Sequence, residues 1–356
     1  MIDADVHHEW LTIRDLFDWL DPGVRDFMER SNFAMPGALW PNPHHYVRRD
    51  SLIDPANPVA PIQLIREQLL DAFDLEFAIV NGGGGAMLLG CMPNRLVAGA
   101  IARAWNRWLT EEFLPSDRRL RGSIYVTPQD PTEAAREIRA MGNKPGVVQV
   151  LLTAGSTAPY GQPQFHEIFE AAAEVGLPVG IHIAGEGYGI NAPLACGHPT
   201  YYIEYHTLAC VGGMAHTVSL VCHGVFEKYP DLRVAVLETG TLWLPEVFWR
   251  LDSNWKALRA EVPWVKRLPS EVIREHMVFG SQPLEEPPKL RQLHQVLEAV
   301  DGLDDMLMLC TDYPHWDFDA PDQLLARLPS GWREKVAGEN ARRFYKLPAR
   351  VPAAAA

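Results

Sequence analysis

Short runs of β-branched and apolar residues recur along the chain, each followed by a stretch with helical spacing of its apolar positions. The runs that predict strands are 2–6, 75–80, 122–126, 147–152, 178–183, 232–238, 276–280 and 306–312. Between them the spacing predicts helices over 62–73, 95–114, 131–141, 164–175, 215–228, 243–259, 285–299 and 321–328, with a last one near 331–345. Strands this continuously apolar suit a parallel sheet covered on both faces, and eight strand–helix repeats match the (β/α)8 TIM barrel. An open doubly wound sheet is the competing architecture. No G-x-G-x-x-G follows the first strand, which removes the usual reason to prefer it.

Two segments are long for barrel loops. Residues 8–61 carry aromatics, prolines and the run PNPHH; residues 184–214 are rich in Gly, His and Tyr. Both follow strand C-termini, so they are expected as lid insertions over the active-site face of one domain spanning 1–347, ahead of a flexible tail at 348–356. Gly82–Gly85 lack the Lys-Ser/Thr ending of a phosphate loop and read as a close backbone approach.

Composition narrows this picture without changing it. Hydrophobic content of 47% and charge of 22% are globular values. A net charge of −13 argues against nucleic acid or an anionic membrane as partner, since both call for clustered Lys and Arg. No apolar run reaches the roughly 18 residues of a membrane span, and the opening MIDADVHH has no secretory pattern. Five scattered cysteines without a C-x-x-C pair fit reduced thiols. The expectation is a cytoplasmic protein with a small-molecule substrate.

The chemistry lies at the strand ends. Asp5 and His7 share one face near the end of strand 1, with Asp3 before them. His182 ends strand 5, Glu238 ends strand 6, and Asp312 ends strand 8. Each of these has an ordinary alternative: a polar turn, a packed histidine or a helix cap. Their coincidence at one end of the barrel points to a metal site, because buried carboxylates without partners are expensive. Two imidazoles and two carboxylates suit a divalent Zn, Fe or Mn ion better than Ca or Mg. Strand 4 offers Gln149 but no Lys or Glu to bridge two ions, so one ion is expected and two are possible.

The segments IDADVHH, GLPVGIHIAG, GVFEKYPDLRVAVLETGTLWLPEVFWRLD, CTDYPHWDFDAP and GENARRFYKL occur in that order across the whole chain. Together they resemble the amidohydrolase-related family, which includes aminocarboxymuconate-semialdehyde and resorcylate-type decarboxylases as well as hydrolases. The resemblance implies metal ligands at Asp5, His7, His182 and Asp312, with Asp in place of the first His of the H-x-H pair. It also implies a His at the strand-6 position, where this chain has Glu238. The pattern Glu238, Gly240, Trp243, Pro245 resembles a subgroup known only as amidohydrolases.

Three function classes follow. A metal-dependent hydrolase or non-oxidative decarboxylase would act on a small, carboxylated cyclic or aromatic compound, with Asp312, Glu238 and His206 as candidate catalytic groups. A dinuclear iron or manganese monooxygenase would use Glu238 to bridge two ions, with the lid His206 or else His216 supplying nitrogen to the second. A non-catalytic partner subunit is the third. His315, His216, Trp243 and Trp316 are candidates for orienting ligands or meeting substrate, although helix packing for His216 and rim packing for the tryptophans are the plainer readings. Arg14, Arg48 and Arg49 are further candidates for a substrate carboxylate, and a homodimer is the expected assembly.

Overall fold

The computed structural model describes residues 1–349 except 9–11, 38, 58, 84 and 195. Residues 350–356 of the expected tail, and Gly84 of the glycine loop, therefore lie outside the described residues. Eight strands form the centre: β1 (Ile2–Val6), β2 (Phe77–Val80), β3 (Leu120–Tyr125), β4 (Val147–Thr153), β5 (Val179–His182), β6 (Val234–Leu237), β7 (Met277–Gly280) and β8 (Leu307–Met308). They pair in parallel in the order of the sequence. The sheet curls until β8 meets β1: Ala4 N donates to Leu309 O at 2.8 Å, Asp312 N to Asp5 O at 3.1 Å and His7 N to Tyr313 O at 2.7 Å. This is the TIM barrel the alternation of elements predicts.

The helices are α1 (Pro22–Arg30), α2 (Pro61–Ile65), α3 (Arg95–Trp108), α4 (Pro131–Met141), α5 (His166–Glu174), α6 (Tyr202–Thr207), α7 (Cys210–Cys222), α8 (Val225–Lys228), α9 (Leu244–Leu258), α10 (Pro269–His276), α11 (Leu290–Leu297), α12 (Pro321–Arg327) and α13 (Asn340–Phe344). Local chemistry sets several starts. Asn94 and Asp130 accept from the backbone N–H of Val97 and Glu133, capping α3 and α4. Proline occupies the first turn of α2, α4, α9, α10 and α12, where its missing N–H costs nothing. The expected helix over 215–228 is two helices, because Gly224 adopts a left-handed φ of 68° between α7 and α8. Helix α10 lies in a stretch the periodicity left unassigned.

Between barrel and helices lies the main core, built from residues such as Ile124, Leu152, Ile181, Val236, Phe279 and Leu307 with Phe169, Leu220, Phe248 and Leu324 from the helices. Inside the barrel, Ile2, Ala4, Phe77, Ile79, Ala235, Leu237, Met308 and Cys310 pack with Ala341, Phe344 and Tyr345. The α13 segment thus plugs the end where the strands begin. At the opposite end the two long insertions touch. Trp40 stacks on Tyr205 at 4.6 Å and donates its indole N–H to Pro199 O, and Leu39 N donates to Tyr188 Oη. Gly155, just past β4, allows the second insertion to start there: a Cβ on it would lie 2.2 Å from the carbonyl carbon of Gly185. Among the described residues no helix is long and apolar enough to cross a membrane.

Candidate metal centre and active site

The strand ends deliver Asp5, His7, His182 and Asp312 to one point. All four are fully buried, and one potential ligand atom from each lies within 4.8 Å of every other. His7 Nε2 stands 3.3 Å from Asp5 Oδ1 and 3.1 Å from Asp312 Oδ1. His182 Nε2 stands 3.1 Å from Asp5 Oδ2 and 3.3 Å from Glu238 Oε2.

Local structure explains how each arrives. The β1–β2 register slips between Asp3 and Val6. Ala4 faces the barrel interior and Val6 packs in the cluster outside it. That change of side brings Asp5 and His7 to the mouth. Asp3 does not join them. It accepts hydrogen bonds from Thr311 N, Thr311 Oγ1 and Asp5 N, and burial pushes its carboxyl up to about 7. Asp312 lies four residues past the regular end of β8. Past Met308 the backbone N–H groups turn to other partners, Leu309 N to Val336 O, Cys310 N to Ser281 Oγ and Thr311 N to Asp3 Oδ1, and Asp312 takes a left-handed φ of 59°.

Glu238 arrives by a second break of alternation. Ala235 and Leu237 face the barrel interior, while Val234 and Val236 face the helices. Strict alternation would send Glu238 outward. A φ of 53° turns the carboxylate back to His182. The following turn supports it. Gly240 has φ 65°, Glu285 accepts from Thr241 N, Leu242 N and Thr241 Oγ1, and the Trp243 indole donates to Thr239 O and Gly240 O. Trp243 also meets Phe279 edge-on. It is packing at the rim, away from the cavity, so its place among the substrate candidates is corrected.

Electrostatics test whether this set fits a cation. Burial alone raises the carboxyls of Asp5 and Asp312, yet His182 and His7 hold Asp5, and His315 and His7 hold Asp312, below the ordinary range. Burial and His315 lower His7, but Asp5 and Asp312 outweigh them and push it up to about 9. The carboxylates therefore demand positive charge, and a divalent cation answers that demand as well as a proton on His7 does. His182 Nδ1–H donates to Ile183 O at 2.7 Å, which turns Nε2 to the cluster as a metal ligand requires. Neither ring nitrogen of the buried His7 makes a hydrogen bond of normal geometry. The donor set fits a metal ion.

Several neighbours were not legible as site residues in the sequence. Asn81 donates to Asp5 Oδ1 at 2.9 Å and to Ala4 O, while its own Oδ1 accepts from Ser123 Oγ and Gln149 Nε2. Gln149 is thus support for Asp5 through Asn81, and Gly180 leaves it room, since a Cβ there would lie 2.6 Å from the Gln149 amide. Asp317 Oδ2 lies 3.1 Å from His206 Nε2 and accepts from Gln282 Nε2 at 3.1 Å. Its signal was its place two residues after His315. Tyr46, Tyr188, Tyr202 and Tyr205 also line the cavity.

The remaining candidates divide. His315 Nδ1 lies 2.6 Å from Asp312 Oδ1, and its ring stacks on His7. His206, on α6, reaches within 3.9 Å of Glu238 Oε1. Trp316 lines the cavity beside His206 at 5.5 Å between ring centroids. His216 does not come to the site. Its Nδ1 accepts from Tyr160 N and its Nε2–H donates to Ala154 O, and burial pushes it down to about 4, so it is a neutral brace between α7 and the turn after β4. Arg14 lines a different cavity, Arg48 pairs with Asp50 over the Phe318 ring, and Arg49 is exposed. None of the three meets the site.

The amidohydrolase family model matches residues 3–347. The chain belongs to the amidohydrolase family. It is an enzyme of that superfamily, and its metal-competent cluster occupies the mouth of the barrel. A gamma-resorcylate decarboxylase of Rhodococcus jostii strain RHA1 is 25% identical over 307 residues, 80% of this chain and 88% of the relative. A dihydroxybenzoic acid decarboxylase from Polaromonas sp. JS666, solved with manganese and the inhibitor 2-nitroresorcinol, superposes with a TM-score of 0.67 at 20% identity, covering 97% of this chain and 96% of that one. A 5-carboxyvanillate decarboxylase from Novosphingobium aromaticivorans, solved with manganese and 4-hydroxy-3-methoxy-5-nitrobenzoic acid, does so at 0.69 and 20%, covering 97% and 96%.

Proposed function

We propose that this enzyme is a metal-dependent, non-oxidative decarboxylase of a small aromatic carboxylic acid. The observation that carries the reading is a metal-competent cluster facing a cavity of single-ring size with aromatic walls. The cavity measures about 210 Å³, and ~150 Å³ suffices to hold a benzene ring. The decarboxylases among its relatives support the same reading over hydrolysis and over a two-metal oxygenase. Asp5, His7, His182 and Asp312 would hold one divalent ion, with manganese the first choice from the related structures. Such an ion supplies Lewis acidity and a grip on the substrate's carboxylate or neighbouring oxygen.

The reaction breaks the bond between ring and carboxylate, releases carbon dioxide and puts a proton on the ring carbon. Glu238 and His206 face the cavity outside the four-residue cluster, and we assign them the handling of that proton. The family resemblance places an imidazole at the strand-6 position. Here α6 brings His206 to Glu238 instead, held by Asp317. Tyr202, Trp316 and the rest of the aromatic wall exclude water from the ring.

The test is carbon dioxide release from hydroxylated benzoic acids by manganese-loaded enzyme in deuterated water. The expected product carries one deuterium at the former carboxyl-bearing carbon. Hydrolysis of an ester or lactone with no carbon dioxide release, or oxygen consumption with substrate, would overturn the reading. Glu238→Gln is expected to lower kcat by ~10²–10⁴ with manganese content unchanged.

A further inference from the structure

The cavity wall outside the metal-competent cluster is short of positive charge. Its polar groups are His206, His315, Glu238, Asp317 and the hydroxyls of Tyr46, Tyr188, Tyr202 and Tyr205, and no Lys or Arg lines it among the described residues. Residues 9–11, 38, 58, 84 and 195 contain no basic residue either, and the remaining undescribed segment has only Arg350. Ala349 lies beside residues 74–77 and 118–121, at the end of the barrel where the strands begin. Of the imidazoles, His206 Nε2 already faces Asp317 Oδ2 at 3.1 Å and Glu238 Oε1 at 3.9 Å, and His315 Nδ1 faces Asp312 Oδ1.

Two of the four tyrosine hydroxyls of the wall donate away from the ring, while Tyr188 and Tyr202 accept from Leu39 N and Trp316 Nε1. Tyr205 donates to Glu186 Oε2 at 2.7 Å, and Tyr46 donates to Trp40 O. What the wall presents to a ring is the carboxyl oxygens of Glu238 and Asp317, the hydroxyls of Tyr188 and Tyr202 and aromatic surface, with no Lys or Arg among the described residues. Four carboxyl groups (Asp5, Asp312, Glu238, Asp317) surround a space that one divalent ion and one substrate carboxylate would share. A second substrate carboxylate would find no Lys or Arg among the described residues, and the imidazoles of the wall already face carboxyl groups. It would meet Glu238 or Asp317.

Resting on the decarboxylase reading, we propose that the site is selective for an aromatic acid with one carboxylate. Hydroxyl or amino substituents on the ring donate to Glu238 and Asp317, and a ring bearing a second carboxylate is excluded. Asp317, which neither the spacing nor the family resemblance singles out, is the specificity-determining residue. Its selectivity works by repulsion of the wrong ligand as much as by attraction of the right one.

The test is equilibrium binding to the manganese-loaded protein, read by tryptophan fluorescence or calorimetry, with 3-hydroxybenzoate, 3-aminobenzoate and benzene-1,3-dicarboxylate as probes. Both monoacids should bind ~100-fold more tightly than the dicarboxylate, the scale of one added like charge about 5 Å away in a half-buried site. Asp317→Asn or Glu238→Gln should shrink that ratio at least about tenfold through tighter dicarboxylate binding. A ratio below about 10 in the unmodified protein, or one that neither substitution reduces, overturns the proposal. Binding requires no turnover. If no acid releases carbon dioxide yet the ratio and its loss are seen, the decarboxylase reading falls and the one-carboxylate site stands. If monoacids turn over at an unselective site, the decarboxylase reading stands and the one-carboxylate site falls.

Discussion

Asn81 does more for the centre than a neutral amide suggests. It satisfies one oxygen of the buried Asp5 and ties it to Ser123 and Gln149 beneath. Asn81→Ala leaves those groups without their partner, which should cost about 1–3 kcal/mol of stability. It should also weaken metal binding ~10–100-fold, the usual effect of losing a group that orients a ligand. Thermal melting and metal titration check both; metal affinity equal to the unmodified protein's would show that Asp5 is held by other means. Glu238 and Asp312 make a related point. Both are non-glycine residues in left-handed backbone, a conformation that persists where the surroundings impose it.

At the scale of elements, the segments after the strands need rigid seats. Gly155 is one, with the backbone of Gly185 lying across it. Gly155→Ala would force these segments apart at a cost of about 1–3 kcal/mol. We expect KM to rise as the segment carrying Tyr188, Tyr202 and His206 is displaced; steady-state kinetics with an unchanged KM would contradict this. A second seat lies at the far end of the barrel. Asp117, before β3, accepts three hydrogen bonds from Arg119, one of them from its backbone N–H, and one from Arg66, and these hold its carboxyl well below the usual range. A depressed carboxyl stabilises the fold above its unfolded pKa of about 3.9 and loses that contribution as pH falls through the folded value. Asp117→Asn should therefore cost about 1–2 kcal/mol at pH 7. The difference from the unmodified protein should narrow as the pH drops below about 4. Denaturant unfolding across pH would reveal a constant difference if the ion pairs were immaterial.

For the whole molecule, the metal centre and the fold are linked. The four residues of the metal-competent cluster come from β1 and the residue after it, from β5 and from the chain after β8, and they meet only when the barrel closes. An ion that binds this arrangement and not the unfolded chain adds ~2.7 kcal/mol at a free concentration 100 times its Kd. Chelation should lower the melting temperature and manganese should restore it. A melting temperature indifferent to both would exclude an ion at this site. The opposite end is closed by α13 and the Tyr345 that follows it, whose hydroxyl donates to Gln149 Oε1 inside the barrel. The polar chain Tyr345–Gln149–Asn81–Asp5 thus runs from the plug to the metal-competent cluster.

The sequence by itself determined the barrel and the core of the site. Eight apolar runs alternating with helical spacing leave a parallel barrel as the simplest way to bury every strand on both faces. Because active-site groups gather at strand C-termini, Asp5, His7, His182, Glu238 and Asp312 were legible from position. Periodicity reports which face of an element is buried, and it works while the backbone is regular. What only the tertiary structure decided lies where regularity breaks. The register slip in β1, the left-handed turns at Glu238 and Asp312, and the early end of β8, past which the backbone bonds Val336, Ser281 and Asp3, involve neighbours distant in sequence. So are the partners of the histidines. His206 and His216 stand ten residues apart in one helical region, yet His206 faces Glu238 and Asp317 while His216 is spent on backbone groups. A side chain's chemistry depends on which groups the folded chain brings within about 3 Å of it, and local pattern carries no record of them.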